Sequence, residues 1–383
     1  MLIVCSASFG IAVPVVVNCD AHQSLNRTLA VLPKQIPLTV VVKGTCSEYI
    51  TVSGFNGLTL KGYTGAKLVQ PATDPSTGLS TFVLSIENSH SVTVDGFTIH
   101  AGTSAIPVGI GHGSTDVRLR NLVAEGGSWT GIVIYEASQA SLAQISTRDS
   151  GYAGVFTVDL SDVHVEDSLF EPGSAVGWHA GLAVSGSSHV TMHNTTIRNM
   201  QVGIDIGGGG NVDILDYNTY YPSGGPMDVV IENPAGSNFY GVSISDGGSL
   251  NLKSTPDARL RIVNPGQPWG GDTSGVRVAS GSTLNGGPNL EISGSYGHGV
   301  YVTGNSHISL SGSRITGSGH GGVLAVNLST ISVATSGTMT EIGGNVVDVF
   351  CDSKSVITGR TGILNAATLQ CPNLLDFDSE PTP

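Results

Sequence analysis

From Pro107 onward the chain repeats one short pattern. A glycine is followed by an apolar residue, a variable one, a second apolar residue and a small polar turn. Clear copies are Gly131–Ser138 (GIVIYEAS), Gly154–Ser161 (GVFTVDLS), Gly181–Ser188 (GLAVSGSS), Gly275–Ser282, Gly299–Ser306 and Gly322–Ser329; looser ones begin at Pro107, Gly203 and Gly241. Apolar residues two apart predict a short strand with one buried face. A second apolar beat follows each copy, as in Val117-Arg-Leu119, Val163-His-Val165, Val190-Thr-Met192, Val212-Asp-Ile214, Leu250-Asn-Leu252 and Ile308-Ser-Leu310. The starts are separated by 24, 23, 27, 22, 38, 34, 24 and 23 residues. A fixed period with occasional insertions marks a chain of stacked units, each burying its apolar face against the next.

Each unit holds two clear strands and room for a third, shorter one, and no segment between them has a helical period. Three strands per coil, stacked in parallel, predict an all-β, single-chain right-handed parallel β-helix of about ten to twelve coils. We place it at residues 40–358. Residues 18–39 form an N-terminal cap: Ser24–Leu32 carries Leu25, Leu29 and Leu32 on one helical face, with Ser24 as N-cap, so a short helix should cover the first coil. Residues 359–383 form a C-terminal cap and polar tail. Three interruptions, Leu169–Ala180, Asp216–Tyr240 and Thr255–Ser274, precede a glycine-led strand and are expected to emerge on one edge.

Charge and cysteine content narrow the function. Only 12% of the 383 residues are charged and 53 are glycine, as the many turns of a solenoid require. The net charge of −13 argues against nucleic acid as partner, which needs a basic face. The five cysteines, at 5, 19, 46, 351 and 371, all lie outside the repeats. Pairing Cys19 with Cys46 and Cys351 with Cys371 would staple the two ends; free buried thiols are the alternative. Disulfides point to a secreted, periplasmic or cell-surface protein. Residues 1–17 are uncharged and signal-like, although a basic leading segment is missing. No later run is long enough to span a membrane.

The stretch Val42-Lys-Gly44-Thr-Cys46-Ser-Glu48, followed by Leu58-Thr-Leu60-Lys-Gly62, resembles the opening coils of secreted proteins of the pectin-lyase-like family. That resemblance implies a right-handed β-helix and a polysaccharide or cell-surface glycan as partner, through lyase, hydrolase or esterase chemistry or through binding alone. The paired-Asp motifs of the polygalacturonases, the Gln and Asp motifs of the pectin methylesterases and the Asp-Pro-His-Asp motif of the alginate epimerases are absent from the sequence. Glycine–histidine–glycine triplets around His112, His298 and His320 are similar to a hydrolase motif, but their recurrence at glycine-rich positions also fits solvated turn histidines.

In a stacked fold, chemistry is assembled by column. The sixth position of the repeat brings His112, Glu136 and Asp159 onto consecutive coils, roughly 5 Å apart. Two carboxylates so placed suggest a Ca2+ site or an acid–base pair, or else an exposed acidic edge. The third position gives an outward column of Val133, Phe156, Ala183, Asp205, Ser243, Arg277, Tyr301 and Leu324, with Tyr135 beside it. Exposed aromatics on a flat sheet suit stacking on sugar rings. Asp205 and Arg277 could grip or deprotonate an acidic sugar, or form a structural pair. Candidate catalytic residues are therefore Asp205, Arg277, Glu136 and Asp159, and candidate substrate contacts are Trp129, Tyr135, Trp178, His179, Trp269 and Tyr301. A column of serines at the eighth position, Ser114 to Ser329, reads as a structural turn ladder. The alternative to a glycan-directed protein is a structural or adhesin-like surface β-helix without a site.

Overall fold

The structure, a computed structural model, describes residues 14–72, 81–172, 179–214, 228–232, 239–252, 259–265, 273–333, 339–359 and 364–376. Its strands all pair in parallel, in three ladders that run the length of the molecule. The first sheet holds the glycine-led strands and has thirteen members among the described residues, from Ile50–Ser53 to Leu369–Gln370. The second ladder carries the second apolar beat, as in Asp162–Glu166 and His189–His193. The third is built from short strands such as Thr196–Arg198. Two long strands, Val117–Gly126 and Gln139–Arg148, run through both the second and third ladders. Thirteen coils exceed the ten to twelve expected, because strands such as Ile50–Ser53, Phe82–Glu87, Val347–Cys351 and Leu369–Gln370 lack the leading glycine.

Inside the coil the two apolar residues of each repeat are fully enclosed, as Ile132 and Ile134, Ile204 and Ile206, or Val300 and Val302. Each such side chain contributes about 1.5–3 kcal/mol of burial, and one continuous core results. The leading glycine has a steric cause. A Cβ on Gly203 would sit 2.5 Å from Ile231 Cγ2 and closer still to the Gly241 carbonyl oxygen, and Gly181, Gly241, Gly275, Gly299 and Gly322 face the same pair of obstacles. Their φ values are ordinary, so close approach, not backbone freedom, selects glycine here.

The serine ladder is a hydrogen-bond relay. Ser161 Oγ accepts from Ser138 N at 3.2 Å, Ser188 Oγ from Ser161 N at 3.1 Å, and Ser306 Oγ from Ser282 N at 3.3 Å. Each turn thus satisfies a buried amide of its neighbour.

A short helix covers the N-terminal end, and a disulfide staples each end. The helix Leu25–Val31 buries Leu25 and Leu29, and Ser24 Oγ caps it by accepting from Arg27 N at 3.1 Å. The Glu48 carboxylate accepts from Leu25 N and from Ser24 Oγ, both at 2.6 Å. Cys19–Cys46 and Cys351–Cys371 are disulfides; Cys5 lies outside the described residues. Regular pairing begins earlier than residue 40: Val15–Asn18 pairs with Val40–Lys43, so the end of the signal-like segment is a strand of the solenoid. Among the described residues no helix is long and apolar enough to cross a membrane.

Candidate functional site

The outward side of the first sheet is a flat surface whose central column follows the predicted order. Val133, Phe156, Ala183, Asp205, Ser243, Arg277, Tyr301 and Leu324 are in register, coil by coil. Beside it runs a column of Thr130, Ala153, Ala180, Val202, Tyr240, Ser274 and His298. Small residues between Ala153 and Val202 keep this surface low, and Tyr152, Phe156 and Tyr240 pack on them.

At the N-terminal side of that low patch stands an aromatic group. The Trp129 and Tyr152 rings stack with centroids 5.9 Å apart and 12° between planes, and Phe156 meets both edge-on. Trp129 keeps 38% of its surface exposed, enough to offer a ring to a ligand. Toward the C-terminal side, the Arg277 guanidinium lies over the Tyr240 ring at 5.6 Å, which orients it by a cation–π contact. Beyond it, Tyr301 stacks with His298 at 6.1 Å, and His320 meets His298 edge-on.

Asp205 sits between these two groups. Burial pushes its carboxyl above the ordinary value of 3.8; a hydrogen bond from Ser243 and the Arg277 charge pull the other way, and Asp246 adds to the rise. Burial also raises the Tyr152 hydroxyl, and the nearby Asp205 charge raises it further. A carboxyl that holds its proton more tightly than an exposed one, on a surface lined by aromatic rings, is a candidate for acid–base work on a ligand laid across it.

The other expected residues fall in different places. Glu136 and Asp159 adopt left-handed backbone at the turns leaving the first sheet, and Glu136 Oε2 lies 2.5 Å from His112 Nδ1. Neither belongs to a group of three metal-binding side chains among the described residues. Tyr135 stacks on Phe82 and meets His112, packed over Gly111 three coils from Asp205. His179 is buried, with 5% of its surface exposed, and does not present its ring on the sheet as a substrate contact would. Trp178 and Trp269 lie outside the described residues. The second and third interruptions are not single loops: each contains a strand, Val229–Glu232 and Leu260–Val263, that pairs in the third ladder.

Sequence reasoning missed Tyr152 and left His298 with two readings. Tyr152 stands two residues before its glycine, as Trp129 does in the preceding repeat, so an aromatic column was present in the pattern. His298 reads as a turn residue by its flanking glycines but opens a strand, His298–Val302, with its ring on the sheet face.

Comparison with known proteins agrees with this architecture. A family model described as a right handed beta helix region matches residues 80–219. No curated protein matches the chain by sequence. Among solved structures, a variant of the catalytic domain of GH87 alpha-1,3-glucanase in complex with nigerose is similar with a TM-score of 0.61 at 11% identity, over 94% of this chain and 67% of that one. A second structure of that catalytic domain with nigerose gives a TM-score of 0.50 at 12% identity, with the same coverage. With parallel coils throughout the described residues and a right handed beta helix model matching residues 80–219, the chain has the right-handed parallel β-helix fold.

Proposed function

We propose that this is a secreted protein that binds an extended oligosaccharide along the outward face of the first sheet, with Asp205 as the proton donor should the bound glycan be cleaved. The observation that carries this reading is the placement of Asp205 between the Trp129–Tyr152–Phe156 group and the Arg277–Tyr240 pair on one flat, low surface. Successive sugars are stacked by flat rings and oriented by a few charges, which is what this face offers. Arg277 favours an acidic sugar. The solved GH87 domain holds nigerose, but at 11% identity that likeness concerns the scaffold, and the reading rests on the face itself.

Trp178 and Trp269, outside the described residues, belong to the same proposal as substrate contacts, because their segments precede the strands Ala180–Val184 and Ser274–Val278 in sequence. A Ca2+ ion at Glu136 and Asp159 remains a subsidiary proposal, at the turn edge rather than on the face. A glycan array should return a ligand that Trp129→Ala and Arg277→Ala each weaken about tenfold, the equivalent of roughly 1.4 kcal/mol. Asp205→Asn should leave binding within about threefold and abolish any cleavage. A glycan whose affinity is unchanged in both Trp129→Ala and Arg277→Ala would refute the placement.

A further inference from the structure

The second ladder carries a separate cluster on its outward side. His164 and Glu166 are two apart on the strand Asp162–Glu166 and so point to the same face. The next coil supplies His193, which lies directly across the rung from Glu166, while Thr191 lies across from His164. We propose that His164, Glu166 and His193 form a binding site for a divalent transition ion of the Zn2+ class, holding two consecutive coils together.

The distances suit ligation of one shared ion. Glu166 Oε2 is 3.4 Å from His193 Nε2 and 3.7 Å from His164 Nε2. Both exceed the range of about 2.7–3.2 Å expected of N–H···O bonds. They approach the separation of ligand atoms around a tetrahedral ion, about 3.4 Å for metal–ligand bonds of about 2.0–2.2 Å. One ligand atom from each of the three side chains falls within 4.8 Å of the others. The other group of this kind among the described residues, Cys19, Cys46 and Glu48, has its two sulfurs committed to a disulfide.

The surroundings support the same reading. His164 Nδ1 lies 2.8 Å from Thr191 Oγ1. With the Nδ1 proton donated to that hydroxyl, the lone pair resides on Nε2, the atom that faces Glu166. Fixing a ligand ring through its second nitrogen is the usual outer support of a metal-binding histidine. The His193 side chain is 7% exposed, so packing holds its ring, whereas Glu166 and His164 keep 31% and 23%. Asp162 and Asp213, which bracket His189 at 2.9 and 3.5 Å, add negative charge on the same face. Two imidazoles and one carboxylate suit Zn2+ and its neighbours; Ca2+ and Mg2+ prefer oxygen-only sets. Remaining positions would be filled by water.

The site is on a different face from Asp205, so its test is independent of the glycan reading. Chelator-treated full-length protein would be titrated calorimetrically with ZnCl2 and, for its visible spectrum, with CoCl2. One ion per chain is expected, with Kd at or below about 10 µM, tetrahedral-type cobalt bands, a rise in melting temperature with Zn2+, and no competition from excess Ca2+. Glu166→Gln and His164→Gln should each weaken Zn2+ by at least about tenfold, and Thr191→Val by about tenfold through loss of ring orientation. His164 and Thr191 are partly exposed, so their variants should fold even if a change at buried His193 does not. Absence of saturable one-to-one binding would overturn the proposal. So would affinity unchanged in all three variants, or variants that lower the melting temperature with no zinc-dependent shift in the parent.

Discussion

Replacing Gly203 and Gly207 separately by alanine tests whether the repeat glycine is selected by space. The two are four residues apart, one the second residue of the strand Val202–Ile206 and one just past its end, and neither has positive φ. A Cβ at 203 enters the core at 2.5 Å from Ile231 Cγ2, with the Gly241 carbonyl oxygen on its other side. A Cβ at 207 meets nothing nearer than Ser245 Oγ at 3.5 Å, an ordinary contact. The obstacle at 203 is partly backbone, so relief requires the two coils to shift; overpacking of this kind costs about 1–3 kcal/mol. Against it stands a gain of about 0.5–1 kcal/mol from the reduced freedom of the unfolded chain, which alone operates at 207. Gly203→Ala should therefore be the less stable of the two by about 2 kcal/mol, while Gly207→Ala matches or slightly exceeds the parent. Urea unfolding followed by far-ultraviolet circular dichroism, with unchanged slopes, gives the comparison. Equal midpoints for the two variants would refute the steric account of the motif.

Two further outcomes follow from single contacts. Ser161→Ala removes the acceptor of the buried Ser138 amide and should lower stability by about 1–2 kcal/mol in the same unfolding experiment; no loss would show that the serine ladder is not a working relay. Asp205 has a folded-state pKa above its unfolded value, so the native state binds the extra proton and stability falls as pH rises from the ordinary value of 3.8 through the raised one. Asp205→Asn removes that loss, and its melting temperature relative to the parent should rise between acidic and neutral pH; a pH-independent difference would contradict the raised pKa.

The fold was legible because its determinants are periodic. Apolar pairs two apart, a glycine where the next coil leaves no space, and a serine where the next coil offers an amide recur in each unit and can be aligned without coordinates. The ends were harder to read. Val83, Pro107 and Asp348 occupy the glycine column outside its run from Gly131 to Gly322, so the signature is loose at Pro107 and lost at Val83 and Asp348 while the pairing is kept. The strand Val15–Asn18 looked like part of a signal because three valines serve equally well in a membrane-directed segment and in a buried ladder.

Side-chain chemistry was legible only where it depends on column alone. Asp205, Ser243, Arg277 and Tyr301 came out in order because strand register fixes them. Glu136 and Asp159 stand at the left-handed turn that leaves the first sheet, the edge position that the polar turn of the repeat implies. His179 shares the column of Trp129 and Tyr152, but it is enclosed where Trp129 is open, so column membership does not decide exposure. The histidine–glutamate cluster shows the complementary limit. His164, Glu166 and His193 are adjacent by register, yet none repeats from coil to coil, so a search for recurring columns passes over them. In a solenoid the periodic residues build the scaffold, and a site made by two coils must be sought among the departures from period.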